Sequence, residues 1–347
     1  MLKNNCIIAL AALALLASCQ KEKISSGTAI SNLFYVENKG AKMPVLVEGN
    51  INSGIIVLWV HGGPGGTAIG FQNDENSTAL LEPSYAVAYW DQRGAGGAQG
   101  NGPKLDLSLY ADDLKSVIAV LKYRYGSDKK IFLLSHSWGG LVAPAFLTQG
   151  NNQDLVKGWI NVAGAHNYYN NDSLTREYLI NYGTQQITAN NNTTAWQKIV
   201  DYAISHPADS TYKTSVGLTK CADDAEALVT DITRSGNGIS GLLDKDKTAF
   251  SFFWTLSNAG ATYFSNLNEK ITKAEYSSKL HLIKLPLVCI TGKYDFTVPK
   301  GLADEVMLKT SSTKKNLLIL PHSGHICMDN EPMLFYDEVK KFVEANR

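Results

Sequence analysis

Ile-Ile-Val-Leu-Trp-Val at 55–60 is apolar at every position. A run this short, with no alternation, predicts a strand buried on both faces. Similar runs at 85–90 and 130–134 predict further buried strands, and 158–162, 285–291 and 316–320 predict further strands. Two extended stretches, 33–37 and 44–48, flank the turn-prone Asn38-Lys39-Gly40 and predict a hairpin. Between these runs the apolar spacing becomes helical. Leu114, Val117, Ile118, Leu121 and Tyr125 lie three or four apart and predict a helix over 109–125. Residues 141–147 are apolar enough for a helix packed on a sheet, and 333–345 predict a closing amphipathic helix. Strands alternating with helices predict an α/β fold: a mostly parallel central sheet with helices on both faces.

The pattern changes between about 165 and 282. Strand runs vanish, Asn, Thr, Tyr and Ser become common, and amphipathic pieces appear at 195–204 and 223–232. This predicts a helical cap over 165–282, inserted into a core formed by 31–164 and 283–347.

The N-terminus is a different kind of segment. Lys3 precedes eleven consecutive apolar residues, Ile7 to Ala17. A spanning helix needs about 20 such residues, so the run has signal-peptide length. It ends in Leu16-Ala17-Ser18-Cys19, which resembles a bacterial lipobox. The resemblance implies a lipoprotein signal peptide over 1–18, lipidation at Cys19, and a lipidated tether over 19–30. The chain is then expected to be an exported lipoprotein anchored in a membrane. Gln20 after the lipidated cysteine points to the outer membrane or the cell surface. Beyond Cys6 and Cys19 there remain Cys221, Cys289 and Cys327, which allow at most one disulfide and are no disulfide framework.

Composition narrows the partners. Of 347 residues, 44% are hydrophobic and 18% charged, enough for a sizeable core. Lys+Arg and Asp+Glu both number 32, with no long charge run, so the basic footprint of a nucleic-acid binder is missing. No nucleic-acid partner is expected.

The chemistry gathers at predicted strand ends. Phe132-Leu133-Leu134-Ser135-His136-Ser137-Trp138-Gly139-Gly140 follows a strand and opens a helix. A serine on so sharp a turn is a nucleophile elbow, which requires small residues two before and two after. Here those are Ser135 and Gly139, so the first departs from the usual glycine. An acid follows the strand at 285–291: Asp295. Two histidines, His322 and His325, follow the strand at 316–320, giving the chain order serine, acid, base. The Ser-Gly before His325 forms a flexible turn, which favours it. The two could also suggest a metal pair, but no carboxylate-rich or cysteine-rich set accompanies them. His61-Gly62-Gly63-Pro64-Gly65-Gly66 follows the strand at 55–60, and its glycines let backbone approach a substrate closely. The N–H groups of Gly63 and Trp138 are the expected oxyanion donors. Gly236-Asn237-Gly238-Ile239-Ser240-Gly241 matches a dinucleotide fingerprint but follows a helical stretch rather than a strand, so it is discarded.

With His61–Gly66, Trp90-Asp91-Gln92-Arg93-Gly94, Ser137-Trp138-Gly139, Gly292-Lys293-Tyr294-Asp295 and Gly324-His325, the chain resembles the α/β-hydrolase superfamily, in its proline iminopeptidase branch. The resemblance implies an eight-stranded core, a helical cap, a Ser137–Asp295–His325 triad, and structural roles for Asp91 and Arg93. It implies neither cofactor nor metal. Aminopeptidases of this branch hold the substrate's ammonium with cap carboxylates. Glu177 is the leading candidate for substrate binding, with Asp172 and Glu226 behind it. The cap aromatics Tyr168, Tyr169, Tyr178, Trp196, Phe252, Phe253, Trp254 and Tyr263 either line an apolar pocket or, by default, pack the cap's own core. The expected function is a serine hydrolase that removes N-terminal residues, proline first, from small peptides. A carboxylesterase or lipase acting on small apolar esters is the alternative, and a non-catalytic surface binding lipoprotein a more distant one.

Overall fold

In a computed structural model the described residues are 29–72, 79–100, 106–234, 256–258 and 267–347. The expected signal peptide, Cys19, nearly all of the tether, the discarded glycine motif, and Phe252, Phe253, Trp254 and Tyr263 lie outside them. No helix among the described residues is long and apolar enough to cross a membrane.

Eight strands form one sheet: β1 (Ala29–Asn38), β2 (Ala41–Asn50), β3 (Ile55–Val60), β4 (Ala86–Trp90), β5 (Lys130–His136), β6 (Gly158–Val162), β7 (Leu287–Gly292) and β8 (Lys315–Leu320). Their spatial order is β1-β2-β4-β3-β5-β6-β7-β8. The β1–β2 hairpin is antiparallel, as is its junction with β4; every other pairing is parallel. This is the α/β-hydrolase fold. Strands β3, β4, β6 and β7 are buried at every position, which is why β3 and β4 read as unbroken apolar runs and β6 and β7 as largely apolar ones.

Two apolar layers hold helices to the faces. On one face Ile56, Leu58 and Val60 share a core with Leu114 and Leu121 of α2 (Leu107–Tyr125) and Leu141 of α3 (Gly139–Leu147). On the other, Val57, Trp59 and Phe132 pack with α1 (Ala68–Gln72) and with Phe335, Val339 and Val343 of the last helix. Burying each such side chain contributes about 1.5–3 kcal/mol.

Between β6 and β7 the chain leaves the sheet. Among the described residues it forms three helices, α4 (Tyr168–Thr188), α5 (Thr193–Ser205) and α6 (Tyr212–Leu228), and the short α7 (Leu267–Ile271). The predicted piece at 195–204 falls within α5, whereas α6 ends at Leu228, four residues short of the piece expected at 223–232. Helices α8 (Lys300–Lys309), α9 (Cys327–Asn330) and α10 (Pro332–Asn346) complete the core. Cys221, Cys289 and Cys327 are buried free thiols.

Candidate active site

Parallel strands send their loops to one sheet edge, and the loops after β3, β5, β7 and β8 meet there. Ser137 sits between β5 and α3 at φ +53°, the left-handed conformation of a sharp elbow. Its carbonyl accepts from Gly140 N–H (2.8 Å) and Ala165 N–H (3.0 Å). The turn leaves no room after the serine: a Cβ on Gly139 would fall 2.2 Å from the Val60 carbonyl oxygen, and one on Gly140 2.3 Å from Gly164 Cα. Two residues before it, the unusual Ser135 is buried, and its Oγ accepts from Trp159 Nε1 at 2.8 Å. A neighbour on β6 thus satisfies the hydroxyl that takes the place of glycine.

His325 Nε2 lies 2.9 Å from Ser137 Oγ. Its Nδ1 lies 3.0 and 3.1 Å from the two carboxylate oxygens of Asp295. The tautomer that fits has Nδ1 donating to Asp295 and Nε2 accepting from the serine. Asp295 is itself buried, and its Oδ1 also accepts from Val298 N–H at 2.7 Å. Burial pulls the His325 imidazole down, but Asp295, with Glu226 and Asp223 behind it, more than offsets this and raises its pKa above the usual value. His322, the competing histidine, is exposed and pairs instead with Asp231 (2.9 Å).

His136 lies beside His325 with its ring tilted 37° and the centroids 4.9 Å apart, and donates from Nε2 to the His325 carbonyl at 3.2 Å. Burial, with His325 nearby, pushes its pKa down to about 3, so it stays neutral. It packs against the His325 ring as a neutral imidazole. The sequence signal was only its position inside the elbow.

The glycine loop closes the other side. A Cβ on Gly62 would lie 3.0 Å from Ser137 Cβ, so this backbone passes directly against the nucleophile. Gln92 ties the loop to the elbow: its Nε2 donates to His61 O (3.0 Å), and its Oε1 accepts from Trp138 Nε1 (2.9 Å). His61 Nε2 accepts from Gln92 N–H (3.1 Å), and burial holds His61 below the usual imidazole range. His61 therefore fixes the loop. Asp91 pins the next turn, accepting from Thr67 Oγ1, Ala68 N–H, Ile69 N–H and Gly97 N–H. Arg93 forms a fully buried pair with Asp113 of α2.

The cap meets this site through α4 and α6. Tyr178 stacks on Phe296 (4.3 Å), and Tyr182, Trp196 and Tyr294 join the same cluster. Tyr178 and Trp196 therefore pack the cap's core, while Tyr169 is exposed. The helical phase of α4 turns Thr175 and Leu179 inward and leaves Glu177 exposed. Asp172 is buried between helices, where its carboxylate accepts from Ser215 Oγ at 3.1 Å. Among the described residues, the cap carboxylate of Glu226 touches the loops bearing Asp295 and His325 directly. Its Oε2 accepts from His325 N–H (3.0 Å) and its Oε1 from Phe296 N–H (3.3 Å). Nothing local in α6 marks a residue whose partners lie seventy and ninety-nine positions away, so the sequence alone favours the other carboxylates.

Known proteins share this architecture. The profile of the family described as "Serine aminopeptidase, S33" matches residues 54–207. The chain is 22% identical over 325 residues to the probable aminopeptidase YbaC of Bacillus subtilis (strain 168), covering 86% of this chain and 92% of that protein. Among solved structures it is similar to a proline iminopeptidase-related protein from Thermus thermophilus, with TM-score 0.58, 21% identity, and coverage of 94% of this chain and 99% of that one. It is also similar to a thermophilic esterase from Thermogutta terrifontis, with TM-score 0.54, 16% identity, and coverage of 90% and 98%. The sheet, the elbow and these likenesses together show a chain with the α/β-hydrolase fold that is a hydrolase enzyme.

Proposed function

We propose that the chain is a serine hydrolase working through an acyl-enzyme. His325 takes the proton of Ser137 as Oγ attacks a carbonyl. Asp295 holds the imidazole in its reactive tautomer and stabilises the imidazolium. The oxyanion develops against the N–H groups of Gly63 and Trp138, where each donor contributes about 3 kcal/mol to the transition state. Water then resolves the acyl-enzyme with His325 as base. The observation that carries this reading is the unbroken hydrogen-bond chain from Ser137 Oγ through His325 to Asp295.

The substrate class we propose is a peptide with a free N-terminus, proline first. The S33 match and the Bacillus subtilis relative, both described as aminopeptidases, support it. A substrate ammonium brought out of water needs a carboxylate partner. Glu226, touching the triad loops, suits that need better than the solvent-exposed Glu177. Ester hydrolysis is the second reading, favoured by the esterase among the structural neighbours. A prolyl arylamide and a short-chain aryl ester, assayed side by side, separate the two. Turnover of the amide at a rate comparable to the ester is expected; an ester turned over with the amide untouched removes the aminopeptidase reading.

We also propose that the chain is exported and lipid-anchored through Cys19. The support is the lipobox resemblance of Leu16-Ala17-Ser18-Cys19 after a short apolar run. Metabolic labelling with a fatty acid should tag the wild-type protein and not Cys19→Ala; equal labelling of both would refute the anchor.

A further inference from the structure

We propose that Glu226 is a positioning residue for the triad: its carboxylate spans the loops bearing Asp295 and His325 and fixes one relative to the other. This deepens the hydrolase reading above and rests on it. Phe296 immediately follows the acid, and its N–H donates to Oε1; the N–H of the base itself donates to Oε2. One side chain of the cap thus takes a backbone hydrogen bond from each loop. The fit is close, since a Cβ on Gly324 would lie 2.2 Å from Glu226 Oε2. A side chain there would push the carboxylate out of this position.

The segment after Glu226 repeats the connection. Asp231 accepts from Tyr294 Oη on the acid's loop and pairs with His322 on the base's loop. Thr233 N–H donates to His322 O at 2.8 Å, and Thr233 O accepts from Asn330 Nδ2 at 2.7 Å. Tyr178 Oη on α4 donates to Lys293 O at 2.8 Å. These outer contacts are solvent-facing, and isolated surface pairs contribute little. Glu226 is half-buried, and hydrogen bonds to a carboxylate shielded in this way count for more than those at the open surface.

Its charge acts as well. The groups facing Glu226 are Asp295 on the β7 loop, His325 on the β8 loop and Tyr178 on α4, with Asp223 on its own helix also acting on His325. Burial, with Asp295 adding to it, pushes the Glu226 carboxyl up to about 7. The ionised form favours the imidazolium, so it raises the His325 pKa. Catalysis needs neutral His325, so the acid limb of activity lies higher with Glu226 ionised than without it.

The test uses p-nitrophenyl acetate, which carries no ammonium. A carboxylate needed only to bind a substrate amine would leave its turnover unchanged. Glu226→Gln removes the charge and converts one acceptor into a donor facing an N–H. It is expected to lower kcat roughly tenfold or more, with KM nearly unchanged, because small misplacements of reacting groups are costly. Its acid limb should move to lower pH by about half a unit or more. Glu226→Asp keeps the charge on a shorter arm and should lose kcat while keeping the wild-type limb. Wild-type kcat in both variants, or an unmoved limb in Glu226→Gln, overturns the proposal. Should neither variant fold, amide exchange in the wild-type protein decides it: protected Phe296 and His325 amides are expected, and rapid exchange at both overturns it. Ser137→Ala runs in parallel. If it stays active, the hydrolase reading fails; if it is dead while the Glu226 variants are normal, only the positioning role fails.

Discussion

Ser137→Ala is expected to lower turnover of either substrate class by about 10⁴-fold or more, and Asp295→Asn by nearly as much. The two losses have different causes. Alanine removes the attacking oxygen, which sits 2.9 Å from His325 Nε2. Asparagine keeps the volume but presents an amide to His325 Nδ1 in place of an oxygen pair 3.0 and 3.1 Å away. It removes the charge that stabilises the imidazolium and permits the wrong tautomer. Because the three groups act as a unit, the double variant should be scarcely worse than Ser137→Ala alone. Steady-state kinetics on the aryl ester, with circular dichroism to show that each variant folds, measures this. A double-variant loss equal to the product of the single losses would mean the residues act independently.

Asp113→Ala is expected to destabilise the fold by about 3–5 kcal/mol, the usual cost of leaving one member of a buried ion pair without its partner. Arg93 donates from Nε and Nη2 to the two Asp113 oxygens at 2.5 and 2.7 Å, and neither side chain is exposed. Asn38 Nδ2 adds a third donor to Asp113 Oδ1, at 2.7 Å. Removing the carboxylate strands a guanidinium inside the protein, on the segment that also carries Asp91 and Gln92 and steadies the glycine loop. The neighbour Asp112 is the control. It pairs with Lys39 at the surface, and Asp112→Ala should change stability by less than about 1 kcal/mol. Urea midpoints of the two variants give the comparison; similar small shifts would contradict a buried role for Arg93.

The central strands could be read from the sequence because a parallel strand between two helical layers is apolar at nearly every position, as Ile55–Val60 is throughout. The elbow could be read because its sterics demand small residues around Ser137. The cap was much less legible. Helix α4 buries Asn171, Asp172, Thr175, Leu179 and Gly183, a stripe so polar and small that no apolar period marks it. Gly183 faces inward, where a Cβ would fall 2.6 Å from Val200 Cγ2 of α5. Asp113 escaped notice for a related reason: it lies on the apolar face of α2, and what makes it tolerable is an arginine twenty residues earlier. The role of Glu226 depends on three segments meeting, and periodicity within any one of them carries no trace of that.

Serine-directed fluorophosphonate labelling of the folded protein, followed by peptide mapping, asks most directly whether Ser137 is an activated nucleophile. A single adduct on Ser137, slowed severely in Asp295→Asn and absent in Ser137→Ala, is the predicted result. An unlabelled Ser137 in folded wild-type protein, or an adduct on another serine that persists in Ser137→Ala, would contradict it.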